Sequence, residues 1–318
     1  MATKVEMSFE QRAEMFRATA TDGQARADFA ASRATVINPL LNEQSTVRYI
    51  FYPEKLLPGA TCTFDIPFED VECTWVMPNI GAIPTIQVEG AELHVDTFGL
   101  DGGVEYQKDI AVDGRFQVAQ LATTLLKNRF IRQEEMAGWS LIKAHAALLF
   151  SGQKLQAFQD DGTAGTPSGT TGTAGTGKMN IYTLNEVITL ADQIGIGGRV
   201  VRDLYLSPRR YGDLRNQVTL SQLPFDMRTK LYSNGENAKA ADPEIRIHKV
   251  YNRKLVTDDK GYAFTQKDGF RYGVMPIREE LNTRDNPIAV LEWKIGIIGR
   301  ERVGFGVLDD KGLIEITF

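Results

Sequence analysis

Residues Gly114–Phe150 read GRFQVAQLATTLLKNRFIRQEEMAGWSLIKAHAALLF, and the rest of the chain is organised around this stretch. It contains no proline, and its one internal glycine, Gly138, costs a helix only about 1 kcal/mol. Alanine, leucine, glutamine, lysine and arginine dominate, and these lose little side-chain freedom in a helix. Val118, Leu121, Ala122, Leu125 and Leu126 recur at three- and four-residue steps, which predicts one packed stripe. Lys127–Glu135 is rich in charge, so the stretch is not a membrane span, which takes roughly 20 apolar residues in a row. An unbroken helix here would be about 55 Å long, against a mean helix of about 11–12 residues. The pattern is that of a long helix lying across a flat body, one face packed and the other wet.

Toward the N-terminus, residues 46–113 carry strand signals. VRYIFY (Val47–Tyr52), CTFDI (Cys62–Ile66) and ECTWVM (Glu72–Met77) are rich in β-branched and aromatic residues. AELHVDTF (Ala91–Phe98) alternates as a half-wet strand does. Asp101-Gly102-Gly103 reads as a turn before a short strand, Val104-Glu105-Tyr106. Apolar runs are short, which predicts an extended β-ribbon with little core of its own. Residues 1–45 read as an arm: Ser8 with Gln11 makes a capping box, Asn38-Pro39 ends the alanine-rich stretch, and its apolar surface is too small to fold alone.

Beyond the long helix, DGTAGTPSGTTGTAGTGK (Asp161–Lys178) is a Gly/Thr-rich, flexible, low-complexity loop. An α/β pattern follows. Thr183 with Glu186 predicts a capped helix to about Ile194, stopped by Gly195, Gly197 and Gly198. RVVRDLYLS (Arg199–Ser207) is an apolar strand, and Ser207-Pro208 opens the helix PRRYGDLRNQ. IRIHKVY (Ile245–Tyr251), Tyr262-Ala263-Phe264, Tyr272–Ile277, VLEWKIGIIG (Val290–Gly299) and RVGFGVL (Arg302–Leu308) are further strands. Asp309-Asp310-Lys311-Gly312 turns the chain into LIEITF (Leu313–Phe318), which ends it inside a sheet.

The chain has 318 residues, 42% hydrophobic and 24% charged, enough for a sizeable core. Two cysteines, Cys62 and Cys73, make no disulfide framework and read as reduced thiols of a cytoplasmic protein. The first residues lack the apolar run of a signal peptide. A net charge of −5 argues against tight non-specific DNA binding, which calls for phosphate neutralisation.

Chemistry-bearing motifs are few. GTAGTGKM (Gly172–Met179) fits G-x-x-x-x-G-K, but Met179 stands where a magnesium-binding Ser or Thr belongs and no apolar strand precedes it, so the reading is a chance match. His94, His145 and His248 have no second ligand at metal spacing and read as packing or surface residues. Glu134-Glu135, Asp258-Asp259 and Asp309-Asp310 read as solvated faces and turns, not acid/base pairs. Ser207 lacks a G-x-S-x-G setting, and capping explains it. The bases of Lys127–Arg132 have acids nearby, so no nucleic-acid footprint emerges. No catalytic, cofactor-binding or metal residue is predicted.

Four stretches resemble a known family. WVMPNIGAIP (Trp75–Pro84) with VDTFGLDGGVEY (Val95–Tyr106) is similar to an extended loop leading into a long helix. Gly114–Phe150, with Met136-Ala137-Gly138-Trp139 inside it, resembles a spine helix. RDLYLSPRRYGDLR (Arg202–Arg215) resembles the strand–Ser-Pro–helix of an axial domain, and IGRERVGFGVLDDKGLIEITF (Ile298–Phe318) the closing strands of a peripheral domain. In this order they resemble a tailed-bacteriophage major capsid protein with the Hong-Kong-97-type fold, of α+β class. The resemblance implies an arm at 1–45, an extended loop and flanking strands at 46–113, a peripheral domain with the spine helix at 114–182, an axial domain at 183–289 and closing strands at 290–318. It implies a non-enzymatic virion protein, assembled in the bacterial host cytoplasm as pentamers and hexamers of an icosahedral shell around double-stranded DNA. Its partners would be copies of itself, portal, scaffolding and decoration proteins, with no sequence-specific DNA binding, no membrane and no cofactor. No scaffolding segment precedes the arm, so a scaffold is expected as a separate or removed protein. The alternatives are an encapsulin-like nanocompartment shell and, remotely, a nucleotide-binding enzyme using Gly172–Lys178.

Overall fold

The computed structural model describes residues 45–57, 61–66, 91–107, 116–166, 175–195, 198–217, 245–267, 271–286 and 294–318, with Gln24, Arg33, Ile37 and Asp109. In chain order the elements are α1 (Thr46–Ile50), β1 (Phe51–Lys55), β2 (Thr63–Ile66), β3 (Ala91–His94), β4 (Phe98–Gln107) and α2 (Phe116–Leu148). A short 3-10 turn (Ser151–Gln153) leads to β5 (Lys154–Gln156), α3 (Ile181–Gln193), β6 (Val200–Leu206) and α4 (Pro208–Gln217). Then come β7 (Arg246–Lys249), β8 (Lys260–Gln266), β9 (Gly273–Asp285), β10 (Lys294–Val303), β11 (Gly306–Val307) and β12 (Leu313–Thr317). No helix among the described residues is long and apolar enough to cross a membrane.

The chain divides into two compact units. The first comprises residues 1–62, 94–138 and 274–306. Its sheet runs in the order β1-β9-β10-β4. β4 pairs with β10 without a break, from Phe98 against Val303 to Gln107 against Lys294. The predicted turn at Asp101-Gly102-Gly103 is therefore absent: all three residues lie inside β4. Gly102 is there for space, since a Cβ on it would come within 3.1 Å of the Phe130 ring of α2. Ile37, Ala122, Leu126, Phe130, Leu281 and Ile297 form the core of this unit.

The long helix is present over 33 residues, but its packed stripe differs from the predicted one. Burial follows Ala122, Leu126, Phe130, Glu134 and Gly138, in steps of four. Leu121 and Leu125, placed on the stripe by the sequence, are 57% and 46% exposed. The line through Ala122 lies one residue, about 100°, round the helix from the line through Leu121. Phe130 fixes the choice, because it is the ring that fills the space over Gly102 and Gly299.

A second difference lies in VRYIFY. Only Phe51 and Tyr52 are strand, and Thr46–Ile50 is a helical turn. Ser45 caps it, its hydroxyl accepting from the Arg48 amide at 3.3 Å. Gly138 lets it lie against α2: a Cβ there would sit 2.3 Å from Val47 Cγ1.

The second unit comprises residues 63–93, 139–273 and 307–318. Its mixed sheet runs β5-β12-β8-β6-β7. β12 pairs parallel with β5 and antiparallel with β8, so the last strand lies inside the sheet, as predicted. Leu184, Val187 and Ala191 of α3 pack with Leu204, Leu206, Ile314 and Phe318. α4 begins at Pro208 as predicted, with the Ser207 hydroxyl accepting from the Arg210 amide. The N-cap of α3 lies three residues before the predicted one. Asn180 is the N-cap, accepting from the Thr183 amide at 2.8 Å, while the Thr183 hydroxyl bonds Lys178 O and the Phe158 amide. α3 ends at Gln193, and Gly195 follows with φ 74°, a left-handed conformation that suits glycine. Trp139, 1% exposed, stacks edge-on against Tyr205 at 5.6 Å. β2 and β3 pair as an isolated two-stranded ribbon with half-exposed faces. The predicted strand Glu72–Met77 and the arm's capping box at Ser8 lie outside the described residues.

Candidate functional site

The residues that chemistry would need are dispersed. His94 is exposed, 3.5 Å from Asp96. His145 Nδ1 lies 3.0 Å from the Tyr272 hydroxyl. Burial lowers its pKa, against the raising fields of Asp310 and Asp309. His248 Nε2 lies 2.8 Å from Asp203 Oδ1, with its ring stacked on Tyr205 at 4.6 Å. Among the described residues no group of His, Cys, Asp and Glu is arranged to hold a metal. Cys62 is a buried thiol with Arg278 Nη2 at 3.8 Å, and Cys73 lies outside the described residues.

The Gly172–Met179 match has no phosphate-loop geometry over its described part. Lys178 forms an ion pair with Asp160, and Met179 is fully buried in the core of the second unit. The N-terminus of the following helix is occupied by its own Asn180 side chain. The predicted flexible loop has a packed stem. The Thr176 amide bonds Thr166 O at 3.1 Å, and the Thr166 amide bonds Thr176 Oγ1 at 2.8 Å. Gly165 and Gly177 touch through their backbones, so a Cβ on Gly165 would come within 2.7 Å of Gly177 Cα.

Glu134-Glu135 is not solvated as predicted, nor is Asp309, while Asp310 is exposed in the predicted turn. Asp258-Asp259 does sit in a turn. Asp309 begins the predicted turn but is 5% exposed, its carboxylate bonded to Arg199 Nη1 at 2.5 Å and Nη2 at 3.0 Å. Glu134 and Glu135 are 1% and 7% exposed. Glu135 caps α1: its Oε1 accepts from the Thr46 amide at 2.6 Å and the Val47 amide at 3.3 Å. Glu134 pairs with Arg48, which also reaches Glu301. Burial opposes the charge on Arg48, but its bond to Glu134 and the fields of Glu134, Glu301 and Glu280 outweigh that and raise its pKa.

This burial changes the electrostatics of the long helix. Glu134 and Glu135 are the only acids in α2, and both are turned inward. Arg129 and Arg132 are exposed, and Arg129 Nη1 donates to Gly103 O at 2.5 Å. Asp101 of β4 shares a cavity with Arg129, so an acid does lie near these bases, though it comes from β4 and not from the helix. Arg129, Phe130 and Gln133 also line a cavity of about 290 Å³ against Leu100–Gly103 of β4.

No protein-family description matches the chain, and no curated protein does. Solved structures do. A structure from Microbacterium phage Oxtober96 superposes with TM-score 0.57 at 15% identity, over 86% of this chain and 90% of that one. The capsid of cyanophage P-SCSP1u gives 0.53 at 18% identity, over 84% and 86%. A structure from Mycobacterium phage Cain gives 0.51 at 11% identity, over 86% and 90%. The chain therefore has the α+β Hong-Kong-97-type capsid fold, the fold of phage major capsid proteins.

Proposed function

We propose that this chain is a major capsid protein, a structural subunit without catalytic activity, which assembles as pentamers and hexamers into an icosahedral shell around double-stranded DNA. The observation that carries this is the superposition on phage capsid chains over nearly the full length of both partners. The β2–β3 ribbon supports it, because two strands alone are marginal in water and gain stability when a neighbour covers them. Many weak contacts per subunit then add up to a stable closed shell. In this reading the peripheral domain takes the first unit and the axial domain the second, so that residues 139–182 and 307–318, expected in the peripheral domain, fall with the axial one, and residues 1–45 are an arm reaching a neighbour. The net charge of −5 suits a wall that confines DNA without gripping it. Its place is the virion capsid, after assembly in the host cytoplasm with portal, scaffolding and decoration proteins.

Electron microscopy of the purified protein, alone and co-expressed with a scaffold, tests this. Hollow closed particles are the expected result; a monomer at every concentration, with scaffold present, overturns it. An encapsulin-like nanocompartment predicts particles filled with one enzyme rather than with nuclease-protected DNA.

A further inference from the structure

Arg48 of α1, Glu134 of α2 and Glu301 of β10 meet inside the first unit, with side chains 6%, 0% and 1% exposed. Arg48 Nη2 lies 2.5 Å from Glu134 Oε1 and 3.1 Å from Glu301 Oε2. Its Nε reaches both oxygens of Glu134, at 3.2 and 3.0 Å. Two carboxylates thus share one guanidinium, and Glu134 takes most of it. The second oxygen of Glu301, Oε1, is buried and accepts no hydrogen bond from the described residues. An ionised carboxylate with an unsatisfied buried oxygen is costly, and so is a cluster with a net negative charge; one proton neutralises the cluster, and the Glu301 hydroxyl it creates donates to the adjoining Glu134 carboxylate. Among the described residues the other charged groups nearby do not supply it. Glu280 of β9 adds a further negative field at Arg48, and Glu135 of α2 is occupied in capping α1.

We propose that Glu301 is a proton-binding site, and that its proton latches α1 onto α2 and β10, so that losing it loosens the seat of α1. Burial and the neighbouring charge of Glu134 raise the Glu301 pKa to about 9, against the lowering effect of Arg48. The closed form holds the proton up to that pH, whereas an opened Glu301 gives it up near the ordinary value of about 4.3. The latch is therefore strongest below that ordinary value. It weakens as pH rises, with opening favoured by up to tenfold per pH unit, until Glu301 ionises near pH 9. The inference rests on the geometry of this cluster and stands whether or not the chain builds shells.

Hydrogen exchange of the full unassembled chain from pH 6 to 10, corrected for intrinsic exchange, reads the latch at the amides of Thr46 and Val47. Protection should fall by up to tenfold per unit in the wild type and level off above about pH 9. Glu301→Gln, a neutral isostere, should hold protection flat across the range. A flat wild-type profile, or a variant that follows the wild-type slope, overturns the proposal. Infrared spectroscopy of the wild type gives a readout that does not depend on the variant folding. A protonated-carboxyl band present at pH 7 and gone at pH 10 is the expected result, and its absence at pH 7 refutes the site.

Discussion

Gly138→Ala puts two magnitudes against each other. In an exposed helix, alanine for glycine stabilises by about 1 kcal/mol. Here the new Cβ would lie 2.3 Å from Val47 Cγ1, 2.9 Å from Cγ2 and 3.2 Å from Cβ. Val47 cannot rotate away, since both methyls and the carbon that bears them are close and the side chain is fully buried. The backbone must move instead, and overpacking of this kind costs about 1–3 kcal/mol. A clash at 2.3 Å belongs at the upper end of that range, so the net loss should be about 2 kcal/mol. Urea denaturation of the unassembled chain measures it. Val47→Ala removes the two clashing methyls, so Gly138→Ala in that background should be neutral or stabilising. The coupling in the double-mutant cycle is then about 2 kcal/mol and favourable. If Gly138→Ala stabilises the wild-type background as well, α1 is not seated on α2 as described.

Glu134→Ala should cost about 3–5 kcal/mol in the same denaturation assay, because it strands a buried guanidinium. Asp309→Ala should destabilise on the same scale by stranding Arg199, and the double replacement Arg199→Met with Asp309→Leu should restore much of the loss. The pKa of His145 is depressed in the folded chain, so its contribution is present above its unfolded pKa and is lost as pH falls through the folded value. His145→Phe should flatten that limb of the stability–pH curve; an unchanged curve removes His145 as the cause. Lys178→Ala should leave stability unchanged, and isothermal titration should detect no nucleotide binding in either form.

Local signals carried far along this chain. The absence of proline in 116–148, the Ser207-Pro208 helix start and the terminal Asp309–Gly312 turn are each set by a few neighbouring residues, and each appears where its residues put it. The misreadings share one cause. Val47–Tyr52 has strand propensity, but its first turn is helical because Glu135, nearly ninety positions away, caps it. Asp101-Gly102-Gly103 has turn composition, but Phe130 needs the space its glycine leaves. Glu134-Glu135 looks solvated until Arg48 is found beside it.

The sequence alone determined the long helix, most of the strands and helices after it though not β5 or the unbroken run of β10 through Gly299–Arg302, and the buried end of the chain. These follow from propensity, periodicity and capping, which act within one or two turns of backbone. Only the tertiary structure decided which face of the helix is buried, that two adjacent acids lie inside, and that one arginine serves two carboxylates. Those depend on Coulomb and contact energies between residues far apart in sequence, which fall off over a few ångströms and so exist only once the fold has brought the residues together.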